Sequence, residues 1–147
     1  MKIVFTCIFA LSSFTAFCQN GLDTLLRGNW NVVSKVEIVK SGGQVIDQKK
    51  ELYKPDEKFF DFTEDGTVTI TQDFGKDSEK LPVRLDGKNL YIGKFKKNKI
   101  PYLVRYEGNQ LKLAKTEGKI KKGKTILTTE QLVLQRKQTE LQQPVKE

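Results

Sequence analysis

Phe60-Asp61-Phe62-Thr63-Glu64-Asp65-Gly66-Thr67-Val68-Thr69-Ile70 alternates apolar and polar residues on both sides of an acidic turn that ends in glycine. A slip of one residue in a hairpin moves every side chain to the other face, so the register follows from asking which turn length sets apolar against apolar. A three-residue Glu64-Asp65-Gly66 loop pairs Phe62 with Val68 and Phe60 with Ile70, leaving Asp61, Thr63, Thr67 and Thr69 outside. A two-residue Asp65-Gly66 turn would pair Asp61 with Ile70. The longer loop is expected, with Gly66 in the left-handed conformation.

The same test at Asp86-Gly87-Lys88-Asn89 pairs Leu85 with Leu90 and Val83 with Ile92. At Gly108-Asn109 it pairs Tyr106 with Leu111 and Val104 with Leu113. Trp30, Val32, Val36 and Ile38 should share a face of the first strand, and Leu132 and Leu134 a face of the last. No helical stripe of useful length occurs; 20–27 suits one short helical turn, with Leu22, Leu25 and Leu26 plugging one end. The chain therefore reads as all-β and antiparallel. Nine runs qualify as strands: 30–39, 44–53, 58–63, 67–73, 80–85, 89–95, 100–107, 110–116 and 124–136. A closed up-and-down barrel built only of antiparallel neighbours needs an even number. The weakest run is 44–53, where Asp47-Gln48-Lys49-Lys50-Glu51 breaks alternation. Taking 41–57 as a long loop leaves eight main strands. Every tight turn then lies at one end, and the longer connections (41–57, 74–79, 96–99 and 117–123) lie at the other, making a cup with a closed base and a loop-rimmed mouth.

Gly28-Asn29-Trp30 opens the first strand, and Leu132-Val133-Leu134-Gln135-Arg136 closes the last on arginine. This pair resembles the bacterial lipocalin-like (calycin) barrels over roughly residues 22–137. The resemblance implies that Trp30 and Arg136 stack at the base of an eight-stranded cup, with Gly28, Trp30 and Arg136 in structural roles. It also implies a small-molecule carrier or sensor. Such a contact again requires an even strand count, since the first strand must start where the last one ends. The chain differs from vertebrate-type lipocalins in lacking a C-terminal helix and disulfides.

Under these registers Phe62, Val68, Leu85, Leu90, Tyr106 and Leu111 fill the base with Trp30. Phe60, Ile70, Val83, Ile92, Tyr102, Val104 and Leu113 come next, and at the mouth the inward phase continues to Gln72, Lys94, Lys115 and Glu130. The candidate ligand-binding set is Phe60, Ile70, Val83, Ile92, Lys94, Tyr102, Val104, Leu113, Lys115 and Glu130. Lysines converging with Tyr102 above an apolar layer suit a small hydrophobic or amphiphilic molecule with an anionic head. The alternative is a cell-envelope scaffold or interaction protein, because an eight-stranded barrel can be filled by its own side chains and inward lysines can snorkel to water.

Met1–Cys18 reads as an export signal, with Lys2 as the positive start, Ile3–Phe17 as the apolar core and Ala16-Phe17-Cys18 as the exit. Ser12, Ser13 and Thr15 interrupt the run, which is too short to span a bilayer. Cleavage before Gln19 would release a periplasmic or secreted barrel domain, 19–137, and a disordered polar tail, 138–147. The alternative is a lipoprotein anchored at Cys18; Phe17 speaks against it, since that resemblance asks for a small residue before the cysteine. Removing 18 of the 147 residues leaves 129, enough for one domain with a core that needs no staples.

Both cysteines, Cys7 and Cys18, leave with the signal, and the chain contains no histidine. That removes Cys–His nucleophile pairs, imidazole proton shuttles and the usual zinc or copper sites. Ser34, Ser41 and Ser78 lie outside any Gly-x-Ser-x-Gly turn. No catalytic residue, metal or cofactor is expected; Glu130 and Tyr102 are the proton carriers an enzyme of this pattern would use. Without Lys2, 25 basic residues face 18 acidic ones, a net charge of +7 concentrated in 94–99 and 119–124. These read as solvated hairpin tips, or as a peripheral contact with an anionic envelope surface. Nucleic acid is not expected, since the chain has no reader motif.

Overall fold

Alternating apolar residues between glycine turns assemble into nine strands in the computed structural model, which describes residues 22–138. The expected signal (1–18) and the tail beyond Gln138 lie outside the described residues. The strands are β1 (Gly28–Ser41), β2 (Gln44–Leu52), β3 (Phe59–Phe62), β4 (Thr67–Gln72), β5 (Asp77–Asp86), β6 (Asn89–Ile92), β7 (Tyr102–Glu107), β8 (Gln110–Lys121) and β9 (Lys124–Arg136), with one 3-10 turn at Asp73–Gly75. β1 and β3 to β9 form a closed eight-stranded antiparallel barrel, shut where β1 pairs with β9.

Residues 44–52 are a strand and not part of a loop, yet the even count survives. β2 pairs with Ser34–Ser41 and β3 with Gly28–Asn31, both antiparallel to β1. The two therefore run in the same direction along one edge of β1 and share a single position in the wall, interrupted by residues 53–58. Hydrophobic alternation misses β2 because both of its faces are wet. Its inner face instead carries cross-strand charge pairs, Lys35 opposite Glu51 and Glu37 opposite Lys49.

Residues 117–123 are likewise not a loop. β8 and β9 run on to a two-residue Lys122-Gly123 turn, and β1 and β2 meet at Gly42-Gly43; all four turn residues have positive φ, the conformation that matches strand twist in the tightest hairpins. The mouth is thus lopsided. β2, β1, β9 and β8 continue past the barrel as a four-stranded tongue, while the opposite rim is made of the 73–76 and 93–101 connections.

The three hairpin registers are as expected. Phe62 faces Val68, Phe60 faces Ile70, Leu85 faces Leu90, Val83 faces Ile92, Tyr106 faces Leu111 and Val104 faces Leu113, with Gly66 at φ 76°. The face assigned to Val36 and Ile38 is corrected. A bulge between Val32 and Ser34 shifts the β1–β9 register, so Lys35 lies opposite the buried Leu132 and Glu37 opposite Glu130. Downstream of the bulge Lys35 and Glu37 point to the barrel side, and Val36 and Ile38 to the outside.

The largest fully buried side chains are Trp30, Phe62, Leu26, Leu90, Leu111, Leu113 and Leu134. Around Trp30 the base is closed by a single turn in which the Leu26 and Arg27 amides donate to the Asp23 carbonyl, at 2.9 and 3.2 Å. Leu22 and Leu26 plug the barrel from this turn, whereas Leu25 is 58 % exposed and contributes only backbone. Tyr106, expected in the base, is more than a third exposed. The Trp30 indole N–H donates to the Leu26 carbonyl at 2.9 Å, and the Arg136 guanidinium lies 4.2 Å from the Trp30 ring centroid. Gly28 has φ 109°, and a Cβ there would stand 3.1 Å from an Arg136 nitrogen. The glycine of the Gly-x-Trp opening is therefore favoured by its backbone conformation, and a side chain there would crowd the guanidinium.

Candidate functional site: the barrel mouth

Four of the ten candidate residues, Phe60, Val83, Val104 and Leu113, belong to the buried core, and Ile70, Ile92 and Tyr102 pack against it partly buried. The latter three form the upper surface of the apolar filling. Lys115 and Glu130 overhang it from the inner face of the tongue, as a directly opposed pair on β8 and β9. Lys94 does not join them. β6 ends at Ile92, Gly93 turns the chain with φ 86°, and alternation no longer applies beyond it. Lys94 is exposed there, its carbonyl accepting from Lys99 Nζ at 3.1 Å. Gln72 is exposed too.

Over the apolar surface lies a layer of linked charges. The Tyr102 hydroxyl donates to Glu130 Oε1 at 2.5 Å, and Lys35 Nζ reaches Glu130 Oε2 at 3.2 Å. Lys115 Nζ stands 4.8 Å from the Tyr102 ring centroid and 3.4 Å from Glu117. In a parallel arrangement at the end of β2, the Tyr53 hydroxyl donates to Glu51 Oε2 at 2.6 Å while Lys49 pairs with the other Glu51 oxygen at 2.7 Å.

Burial, reinforced by the hydrogen bond to Glu130, pushes the Tyr102 hydroxyl far up; burial and Glu51 do the same to Tyr53. Burial also opposes the charge on Glu130, but the Tyr102 and Lys35 contacts outweigh it and hold this carboxyl below its ordinary value. The hydrogen bonds from Lys49 and Tyr53 draw Glu51 down to about 2. At neutral pH both phenols keep their protons and both carboxyls are ionised.

Lys58 completes the layer. It continues the inward alternation of Phe60 and Phe62, is half-buried, and places Nζ 5.6 Å from the Tyr53 ring centroid. No carboxylate lies within 4 Å of it among the described residues. Burial and the neighbouring Lys35 both press its pKa below the ordinary lysine value. Sequence reasoning missed Lys35, Glu51, Tyr53 and Lys58 in this layer, with the ion-pair partners Lys49 and Glu117. The 58-60-62 alternation signals Lys58; Lys35 becomes inward only through the bulge; Glu51 and Tyr53 lie in the stretch read as a loop.

Among the described residues no cluster of His, Cys, Asp or Glu is placed to hold a metal ion. Comparison with family models, with curated proteins and with solved structures finds no match to this chain.

Proposed function

We propose that this is an exported lipocalin-like binding protein that holds a small amphiphile at the barrel mouth, tail against Ile70 and Ile92 and anionic head toward Lys58. The observation that carries the reading is Lys58 itself, a half-buried inward cation without a carboxylate partner among the described residues, set directly above apolar surface. Burying a charge without a partner is costly, and an incoming anion removes that cost. Binding is favoured over catalysis because the surrounding phenols and carboxyls are held in fixed protonation states, unsuited to proton exchange near neutrality.

The experiment is displacement of an apolar fluorescent probe by a fatty acid and by the matching alcohol. Lys58→Met should weaken the acid by about tenfold, the order expected for one charge-assisted contact, and leave the alcohol unchanged. Equal effects on both would rule out the head-group contact. The envelope-scaffold reading is favoured by one specific observation, the filling of the lower barrel by side chains such as Phe62, Leu90, Leu111 and Leu134, all at 1 % exposure or less. Failure of every amphiphile to displace the probe would leave that reading in place.

A further inference from the structure

The register of β1 with β9 brings the two hairpin tips of the tongue side by side, with Lys40 opposite Leu127 and Ser41 opposite Ile126. Residues 40–46 and 118–127 contain five lysines, at positions 40, 119, 121, 122 and 124, and no aspartate or glutamate. The same tips expose aliphatic side chains: Ile120 is 81 % exposed, Ile46 60 %, Val45 53 % and Leu127 40 %. Lysine alone is the ordinary means of keeping a hairpin soluble. Four exposed aliphatics at one tip are not. Phe95, by contrast, another exposed apolar residue at the mouth end, is stacked under the Arg84 guanidinium at 5.3 Å and so has a partner.

We propose that the tongue tip is a membrane-docking element that engages the surface of an anionic lipid bilayer, Ile120 and its aliphatic neighbours entering the headgroup boundary and the lysines meeting the lipid phosphates. From Leu132, the last buried residue of β9 below the tongue, to Lys124 the strand advances eight residues, roughly 26 Å at 3.3 Å per residue. The tip therefore stands beyond the last buried layer of the barrel.

The registers also sort the side chains. Val45, Lys40, Leu127 and Gly118 form one row across the outer face with Ile120 beyond them, while Lys119, Lys121 and Lys124 project from the opposite face. An end-on tip of this kind offers apolar surface and positive charge together, the combination that binds interfaces. A soluble polyanion would use the lysines and leave Ile120 in water. A second copy stacked on this face would bring Lys40 and Lys50 against their counterparts, since the outer face of the tongue carries no carboxylate.

The test is flotation of the exported chain with vesicles of phosphatidylglycerol and phosphatidylcholine, against vesicles of phosphatidylcholine alone, at about 0.1 M salt. The chain should float with the anionic vesicles only. Each lysine near an anionic surface is worth roughly fivefold, so Lys121→Glu with Lys122→Glu should weaken binding by at least about twentyfold. Ile120→Ser should weaken it by about tenfold. Both variants should keep the Trp30 fluorescence of the folded barrel. The proposal is overturned by absence of flotation with anionic vesicles, by binding that survives in either variant, or by dextran sulfate competition together with an Ile120→Ser variant that floats like the parent, which would mark a polyanion site. A concentration-dependent dimer abolished by Ile120→Ser, without flotation, would assign the tip to a second copy instead.

Discussion

Arg136 holds its guanidinium over the Trp30 ring by donating to two backbone carbonyls of the plugging turn, those of Arg27 at 2.9 Å and Leu25 at 2.6 Å. The last strand thereby ties down the segment that precedes the first. Loss of the ring should cost more than loss of the fork: Trp30→Ala should destabilise the barrel by about 3 to 5 kcal/mol. Arg136→Lys, which keeps the charge but cannot span both carbonyls, should cost about 1 to 3 kcal/mol. Urea denaturation of the two variants checks the order, and an Arg136→Lys loss equal to that of Trp30→Ala would contradict it.

Gly28→Ala should destabilise by about 1 to 3 kcal/mol, because the new methyl meets a positive φ and the Arg136 guanidinium at once. In an Arg136→Lys background the steric part should shrink, so the double variant should lose less than the two single losses combined. Additive losses would show that φ alone sets the requirement for glycine.

Glu130 gives a pH dependence of known sign. Its folded pKa is depressed, so its charge contributes stability that is present above the ordinary glutamate range and is lost as pH falls through the folded value. Glu130→Gln should accordingly flatten the acid side of the stability profile while lowering stability at pH 7. Tyr102→Phe should move the acid limb the same way by a smaller amount, since Lys35 still holds the carboxylate. Thermal melts between about pH 3 and 7 decide this; a Glu130→Gln profile parallel to the parent would remove Glu130 from the account.

Ile70→Trp should reduce probe binding at the mouth without loss of folding, because Ile70 lies on the upper surface of the filling and not within it. Lys94→Gln should change nothing in the fatty-acid competition, its side chain being exposed on the far rim. A Lys94 effect equal to that of Lys58→Met would mean that the head group sits over the 93–101 connection.

Intact mass of the full-length chain after expression in a bacterial host tests processing. A chain beginning at Gln19 is the expected product, and a diacylglycerol adduct on Cys18 would make the protein membrane-anchored through its N-terminus.

Turn chemistry and apolar pairing carried the fold because they are local. Gly66, Gly87 and Gly108 mark three hairpins whose registers follow from which residues need burial. What escaped was set by backbone events without a side-chain signature. The extra residue at Val33 inverts the upper half of β1 and brings Lys35 and Glu37 inward, although they read as outward polar positions. β2 escaped because its own residues 47–51 are polar or charged on both faces, so no alternation betrays it. The mouth was accordingly half legible: Tyr102, Lys115 and Glu130 meet as their phases require, while Lys35, Glu51 and Tyr53 reach the same layer through the bulge and the extra strand.

The seam between β1 and β9 also governs when the molecule can fold. Trp30 and Arg136 are paired across it and stand more than a hundred positions apart, so the ring closes only when nearly the whole chain is at hand. Hairpins such as β3–β4 and β7–β8 are local and can form early, but β1 keeps one edge open until its final partner arrives. Closure over so long a separation is entropically expensive and slow. A chain interrupted before residue 124 would hold β1 with a bare edge and Trp30 without its cover, a species prone to pairing with its neighbours.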